Sequence, residues 1–280
     1  MRDLALRGLG MVMAAGLMLG GPLQAREITQ EALSLLPPVD VVILGEVHDN
    51  PQHHLNQAAA LRALKPAAVV FEMLGPEQAA IANQGTRVGE ALGLALDWTS
   101  GGWPPFAMYW PVFEAAGAAR VYGMAVPRAE VSQAFRNGPA AVFGADARRY
   151  GLDEALPADE QEAREQMQME AHCNAMPADM LPGMVAAQRL RDAAFAQTIL
   201  TALAEVGGPV AVITGSGHAR TDWGIPAALR RAAPDLSVLS VGQLEDHGNP
   251  AAPPFDLWLV TAPAERPDPC AGLAGAGQNG

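Results

Sequence analysis

Six short runs rich in Val and Ile recur along this chain, each closing on Gly, Pro or a polar group: Val39 to Gly45, Ala67 to Met73, Ala119 to Met124, Pro209 to Gly215, Leu236 to Val241 and Phe255 to Thr261. An apolar run without alternation suits a strand covered on both faces, as in a parallel sheet. Between the first two runs, Asn50-Pro51 opens a helical pattern that lasts to Leu64, with Asn as N-cap and Pro at the first helical position. That is a βαβ unit. A second helical region, Met180 to Val206, is Ala-rich and leads directly into the Pro209 run. The expected class is therefore α/β, a mostly parallel central sheet flanked by helices. The stretches Gln78 to Pro111 and Val131 to Pro182 fit the alternation less well and read as helical insertions, the second holding an acidic helix, Asp159 to Glu170, with a solvated face.

At 280 residues, half of them hydrophobic, the chain can bury one large core. Residues 1–25 carry two Arg, then the apolar run Leu9 to Leu19, then Gly20-Gly21-Pro22 and a small residue at Ala25, the pattern of a cleaved signal peptide. No Cys stands near its end to accept a lipid, so no stable membrane anchor is expected. The expected organisation is a signal peptide over 1–25, one α/β domain over 26–263, and a disordered Pro/Ala/Gly tail over 264–280. Cleavage removes Arg2, Arg7 and Asp3, moving the formal charge from −12 to −13. Such an acidic surface argues against nucleic acid and anionic membranes as partners. Only Cys173 and Cys270 are present, and an oxidising compartment would permit a bridge between them.

In a parallel sheet, the carboxyl ends of the strands open onto one edge, where ligands bind. Three of the runs end in matching polar residues: Glu46 and His48 in Gly-Glu-Val-His, Glu72 in Phe-Glu-Met, and His218 with Arg220 in Gly-Ser-Gly-His-Ala-Arg. Two imidazoles and two carboxylates there suit Zn, Mn or Fe. They could equally form an acid–base pair for hydrolysis, with Arg220 as an anion or oxyanion partner, or simply hold loops together. His53 and His54, in the first turn of the helix from Pro51, read as surface or cap residues kept neutral by its positive end. Trp98, Trp103, Tyr109 and Trp110 form an aromatic segment, core or lid by composition, in which Tyr109 has the phenol that can bind ferric iron. Ser216 lacks the nucleophile-elbow spacing, no Gly-rich phosphate loop follows the first run, and nothing in the sequence orients Cys173 beside His172 as a nucleophile.

Several of these motifs stand in an order that resembles the ChaN family. They are Leu44-Gly45-Glu46-Val47-His48-Asp49-Asn50, Phe71-Glu72-Met73, the Trp-Pro-x-x-x-x-Tyr pattern ending at Tyr109, Val126-Pro127-Arg128, Ala171-His172-Cys173, Gln188 to Asp192, Gly215 to Arg220 and Gly224-Ile225-Pro226. The likeness runs from about Val39 to Val260. It implies an iron-regulated, haem-binding protein of the bacterial envelope, with two haems held between paired subunits and tyrosine as the iron ligand. By that resemblance Tyr109 is the expected ligand, with Trp103 and Trp110 stacking on the porphyrin, and the chain is expected to work as a homodimer in haem uptake. The wider superfamily, with Tiki and TraB-like members, implies a metal-dependent peptidase-like site mapping onto Gly45 to His48, Gly215 to His218 and Glu46 or Glu72. Family members are often lipoproteins; this chain, without a lipid-accepting Cys, is expected to be free in the periplasm.

Overall fold

The computed structural model describes residues 25–85, 88–246, 249–268 and 270–271. The expected signal peptide lies outside them, apart from Ala25. Each apolar run becomes a strand, preceded by one short strand the runs did not reveal: β1 (Arg26–Glu27), β2 (Val41–Glu46), β3 (Ala68–Phe71), β4 (Arg120–Gly123), β5 (Val210–Gly215), β6 (Val238–Glu245) and β7 (Leu257–Thr261). They form one sheet in the order β1-β7-β6-β2-β5-β3-β4, parallel at every pairing. The helices are α1 (Pro51–Leu64), α2 (Pro76–Gln84), α3 (Gly89–Ala95), α4 (Phe106–Ala116), α5 (Arg128–Asn137), α6 (Pro139–Phe143), α7 (Ala158–Ala171), α8 (Leu181–Val206), α9 (Ser216–Ala219) and α10 (Ile225–Ala232).

The unbroken apolar runs follow from burial on both faces. Every residue of β2, β3 and β5 is buried. Val42, Leu44, Val69, Phe71, Ala211 and Ile213 point to one face and pack with α1 and α4 through Leu61, Val112 and Phe113. The alternate residues Val41, Ile43, Ala68, Val70, Val210 and Val212 meet Phe195, Ala196 and Ile199 of α8 and Leu229 of α10 on the other face. A strand residue alternates faces, so a strand buried on both must be apolar throughout. Removing about one buried methylene from such a core forfeits about 1 kcal/mol.

The expected insertions are α2 to α4 and α5 to α7, and α4 runs back into β4 as the crossover helix. Half of the residues of the acidic α7 are exposed, while Arg164 and Gln168 turn inward. The end of the chain departs from the expected loose tail as far as it is described. Ala264 N–H donates to Glu245 at 2.9 Å, and Arg266 bridges Asp49 at 2.8 Å and Glu245 at 2.8 Å. Cys270 is disulfide-bonded to Cys173, closing a separation of 97 residues. These contacts lay the segment across the β2–β6–β7 edge; sequence composition carries no sign of it, because one Arg and one Cys supply the anchors. No helix among the described residues is long and apolar enough to cross a membrane.

Candidate functional site

The register of the central strands brings the sequence-distant polar ends together. Glu46 lies opposite Gly215 in the β2–β5 ladder, and Glu72 follows β3 with its N–H on the Ile213 carbonyl of β5. His48 needs Gly215 beside it: a Cβ there would sit 2.9 Å from His48 Nε2 and 3.8 Å from Glu72 Oε2. The Gly-x-x-His spacing of the fifth strand thus makes room for the histidine of the second.

Glu46 is the centre of one half of the site. Its buried carboxylate accepts the Tyr109 hydroxyl at 2.6 Å, His48 Nδ1 at 2.8 Å and Gln57 Nε2 at 2.7 Å, with His54 Nδ1 at 3.4 Å. Burial alone would push its carboxyl up, but His48 and His54 outweigh burial and hold it well below the usual carboxylate range. Burial likewise opposes the cationic forms of His48 and His54, and Glu46 outweighs it in both, raising them. The geometry of His54 agrees: Nε2 faces the His48 carbonyl at 2.9 Å while Nδ1 faces Glu46 and Gln57 oxygens, so both ring nitrogens meet acceptors.

Glu72 is the centre of the other half. Its Oε2 accepts from Thr214 Oγ1 at 2.7 Å and from the Gly215 N–H at 2.8 Å, and its Oε1 lies 3.6 Å from His218 Nε2. His218 Nδ1 meets Asp192 Oδ1 at 2.6 Å. Burial disfavours charge on His218, yet Glu72 and Asp192, one facing each nitrogen, raise its pKa. Asp192 is pushed up by burial, against the pull of the His218 imidazole.

Of the residues anticipated from sequence, Glu46, His48, Glu72 and His218 do converge. The divalent-metal reading does not carry over: among the described residues no group of three or more His, Cys, Asp or Glu is placed to hold a metal. The donors are turned on one another, Glu46 towards N–H and O–H groups and His218 between two carboxylates, so their lone pairs are not free to meet at one point. Arg220 is not an oxyanion partner here; its guanidinium pairs with Asp222 at 2.6 Å and lies 4.0 Å over the Trp223 ring. The phenol of Tyr109 is fully enclosed, against His54 at 4.1 Å and Trp98 at 4.8 Å between ring centroids. Burial and then the Glu46 carboxylate push its pKa far up, the reverse of what an iron-binding phenolate needs. Trp103 does reach the site, 5.0 Å from the His48 ring, whereas Trp110 lines a separate cavity of about 470 Å³ with Phe113 and Glu114.

His53 and His54, read as surface residues, are both completely buried, and only His53 is held neutral. Gln57, Thr214 and Asp192 were missed. Asp192 had a signal, a carboxylate on the apolar side of α8 between buried Leu190, Ala193 and Ala196. His48 is the partly exposed member of the network, its side chain 34% accessible, oriented through Nδ1 by a buried carboxylate with Nε2 beside Gly215. That is an imidazole fixed in tautomer and direction, suited to accept or donate a proton, or to ligate.

An all-parallel α/β sheet with paired Glu and His at adjacent strand ends defines the class. A family model described as haem-binding uptake, Tiki superfamily, ChaN matches residues 33–229, and the chain belongs to that family. Among solved structures it is similar to ChaN of Campylobacter jejuni, described with cofacial heme binding, at 19% identity and TM-score 0.58 over 81% of this chain and 88% of that one. It also matches the type III effector HopBA1 at 14% identity and TM-score 0.43, covering 83% of this chain and 91% of that one. A mutant of the erythromycin esterase EreC matches at 12% and 0.40, covering 78% and 74%. No curated protein matches the chain.

Proposed function

We propose that this protein binds haem in the periplasm and serves haem or iron uptake, acting as a pair of chains that hold their haems face to face. The observation that carries the reading is the family match across 33–229, which includes both strand-end motifs. The Cys173–Cys270 bridge supports an oxidising compartment, since cytosolic thiols stay reduced. Haemin titrated into the purified protein is expected to give a saturable Soret shift with one haem per chain, and light scattering should report a dimer once loaded. A spectrum identical to free haemin at every ratio would end the proposal.

The enclosed phenol changes what Tyr109→Phe should do. Glu46 loses one of its donors, at a cost of about 1–3 kcal/mol, and the haem spectrum stays as in the parent. Loss of the haem signal in a folded Tyr109→Phe protein would show that the phenol swings out to iron.

One observation favours a second reading, metal-free hydrolysis: His48 has the carboxylate-oriented geometry of a general base and is the open end of the network. It predicts release of p-nitrophenol from p-nitrophenyl acetate that is abolished in His48→Gln. Equal rates in both proteins would remove it.

A further inference from the structure

Behind the His218–Asp192 pair lies a cavity of about 430 Å³, bounded by α7, α8, α10 and the 151–157 loop. Leu152, Pro157 and Trp223 supply apolar lining, and Asp192, Arg164, Arg189 and Arg231 line it as well. The charges around it are matched almost throughout. Arg164 pairs with Glu160 at 3.0 Å and lies 5.2 Å from the Trp223 ring, Arg231 pairs with Glu154, Asp222 with Arg220, and Asp192 with His218.

Arg189 is the exception. Its Nη2 donates to the carbonyls of Gly151 at 2.6 Å and Glu154 at 2.9 Å, both neutral, and no carboxylate among the described residues forms an ion pair with it. Burial and then the charge of Arg164 depress its pKa, so the cation is held where the protein itself disfavours it. In a chain with 30 acidic and 18 basic residues, a counter-ion was readily at hand. A half-buried guanidinium without one leaves the place of an anion open.

The local backbone gathers a second cation to the same point. Gly151 has φ +69°, its carbonyl accepts from Arg189, and a Cβ on it would lie 2.6 Å from Arg231 Nε. The left-handed conformation favours glycine there, and the Arg231 guanidinium lies directly beside it. Two planar forks beside one peptide suit paired carboxylates, because each fork can make two parallel N–H···O bonds. The apolar wall suits a ring system joined to them, and the volume is in the usual range for a small-molecule site.

We propose that this cavity receives the two propionates of haem, Arg189 as the primary anchor and Arg231 as the second, with Arg231 exchanging Glu154 for the ligand. The proposal rests on the haem-binding reading and adds to it where the carboxylate edge of the porphyrin is held.

The test compares haemin with haemin dimethyl ester, which has the same ring and iron but no carboxylates, on the full-length protein. The parent is expected to prefer haemin by roughly 10- to 100-fold, the range of charge-assisted hydrogen bonds to a guanidinium. Arg189→Gln should lose most of that preference and Arg231→Gln part of it, while both keep their affinity for the diester. Metal-free protoporphyrin IX, which retains its propionates, should displace haemin from the parent. Arg231 is exposed, so its variant stays informative even where Arg189→Gln folds poorly, as circular dichroism would report. Equal affinity of the parent for haemin and the diester, or an undiminished preference in both variants, overturns the proposal. Binding without preference removes this assignment alone, whereas no haemin binding by the parent removes the haem reading with it.

Discussion

Glu46→Ala is expected to lose about 3–5 kcal/mol of folding stability, the range for removing one partner from a buried ion pair. The carboxylate is buried and meets His48, His54, Gln57 and Tyr109. Without it, an imidazolium at His54 is left opposite no charge, and the Tyr109 hydroxyl, enclosed on all sides, has lost its 2.6 Å acceptor. At roughly 2–4 °C per kcal/mol for a chain of this size, the midpoint of thermal unfolding should fall by roughly 6–20 °C. Glu46→Gln keeps the volume but turns one oxygen into a donor among donors, so it should fall between the parent and the alanine variant.

The pH dependence of that loss is fixed in sign. Glu46 is held below its ordinary 4.5, so its contribution is present above that pH and fades as acid is added. His48 and His54 are held above their ordinary 6.5, so theirs is complete below that pH and fades as the pH rises through the raised values. The penalty of Glu46→Ala should therefore be greatest between about pH 4.5 and 6.5 and shrink on both sides. Urea unfolding of both proteins from pH 4 to 9 checks it. A difference under about 1 kcal/mol throughout would mean the carboxylate is not in the pairing described.

How far the sequence carried the fold depends on whether a signal was local. The central strands declare themselves because burial on both faces forces unbroken Val and Ile runs, whereas β1 is two exposed charged residues, Arg26 and Glu27, held only by β7. At the site, Glu46, Glu72 and His218 are legible for the same reason: each ends a run, and a parallel sheet places run ends side by side. Gln57, His54 and Asp192 reach the site from α1 and α8, and which way a helix residue faces is settled by packing that no spacing reveals. Tyr109 shows the limit most plainly. A phenol flanked by Trp is visible in the sequence, but whether it faces a ligand or a buried carboxylate is decided by α4 lying on α1.

Between pH 6.5 and 4 the effect of acid should come chiefly from His53, whose burial was unforeseen because its cover comes from β6 and β7. Nδ1 accepts the Val47 N–H at 2.8 Å, which fixes the tautomer with the proton on Nε2, donated to Thr261 Oγ1 at 2.8 Å. Protonating Nδ1 would set N–H against N–H in a fully buried place, and burial accordingly lowers the pKa from 6.5 to about 4. The unfolded chain takes up this proton as the pH falls through 6.5 and the folded one does not, so stability decreases from there down to about pH 4, by about 3 kcal/mol in all. His53→Asn keeps an acceptor for Val47 and cannot titrate. It should be less stable than the parent at pH 7 through its lost contact with Thr261, and the gap should close or reverse by pH 4. The other titrating groups are common to both proteins and cancel in the difference. Parallel stability curves for the two proteins between pH 7 and 4 would show that His53 is not the buried neutral base described.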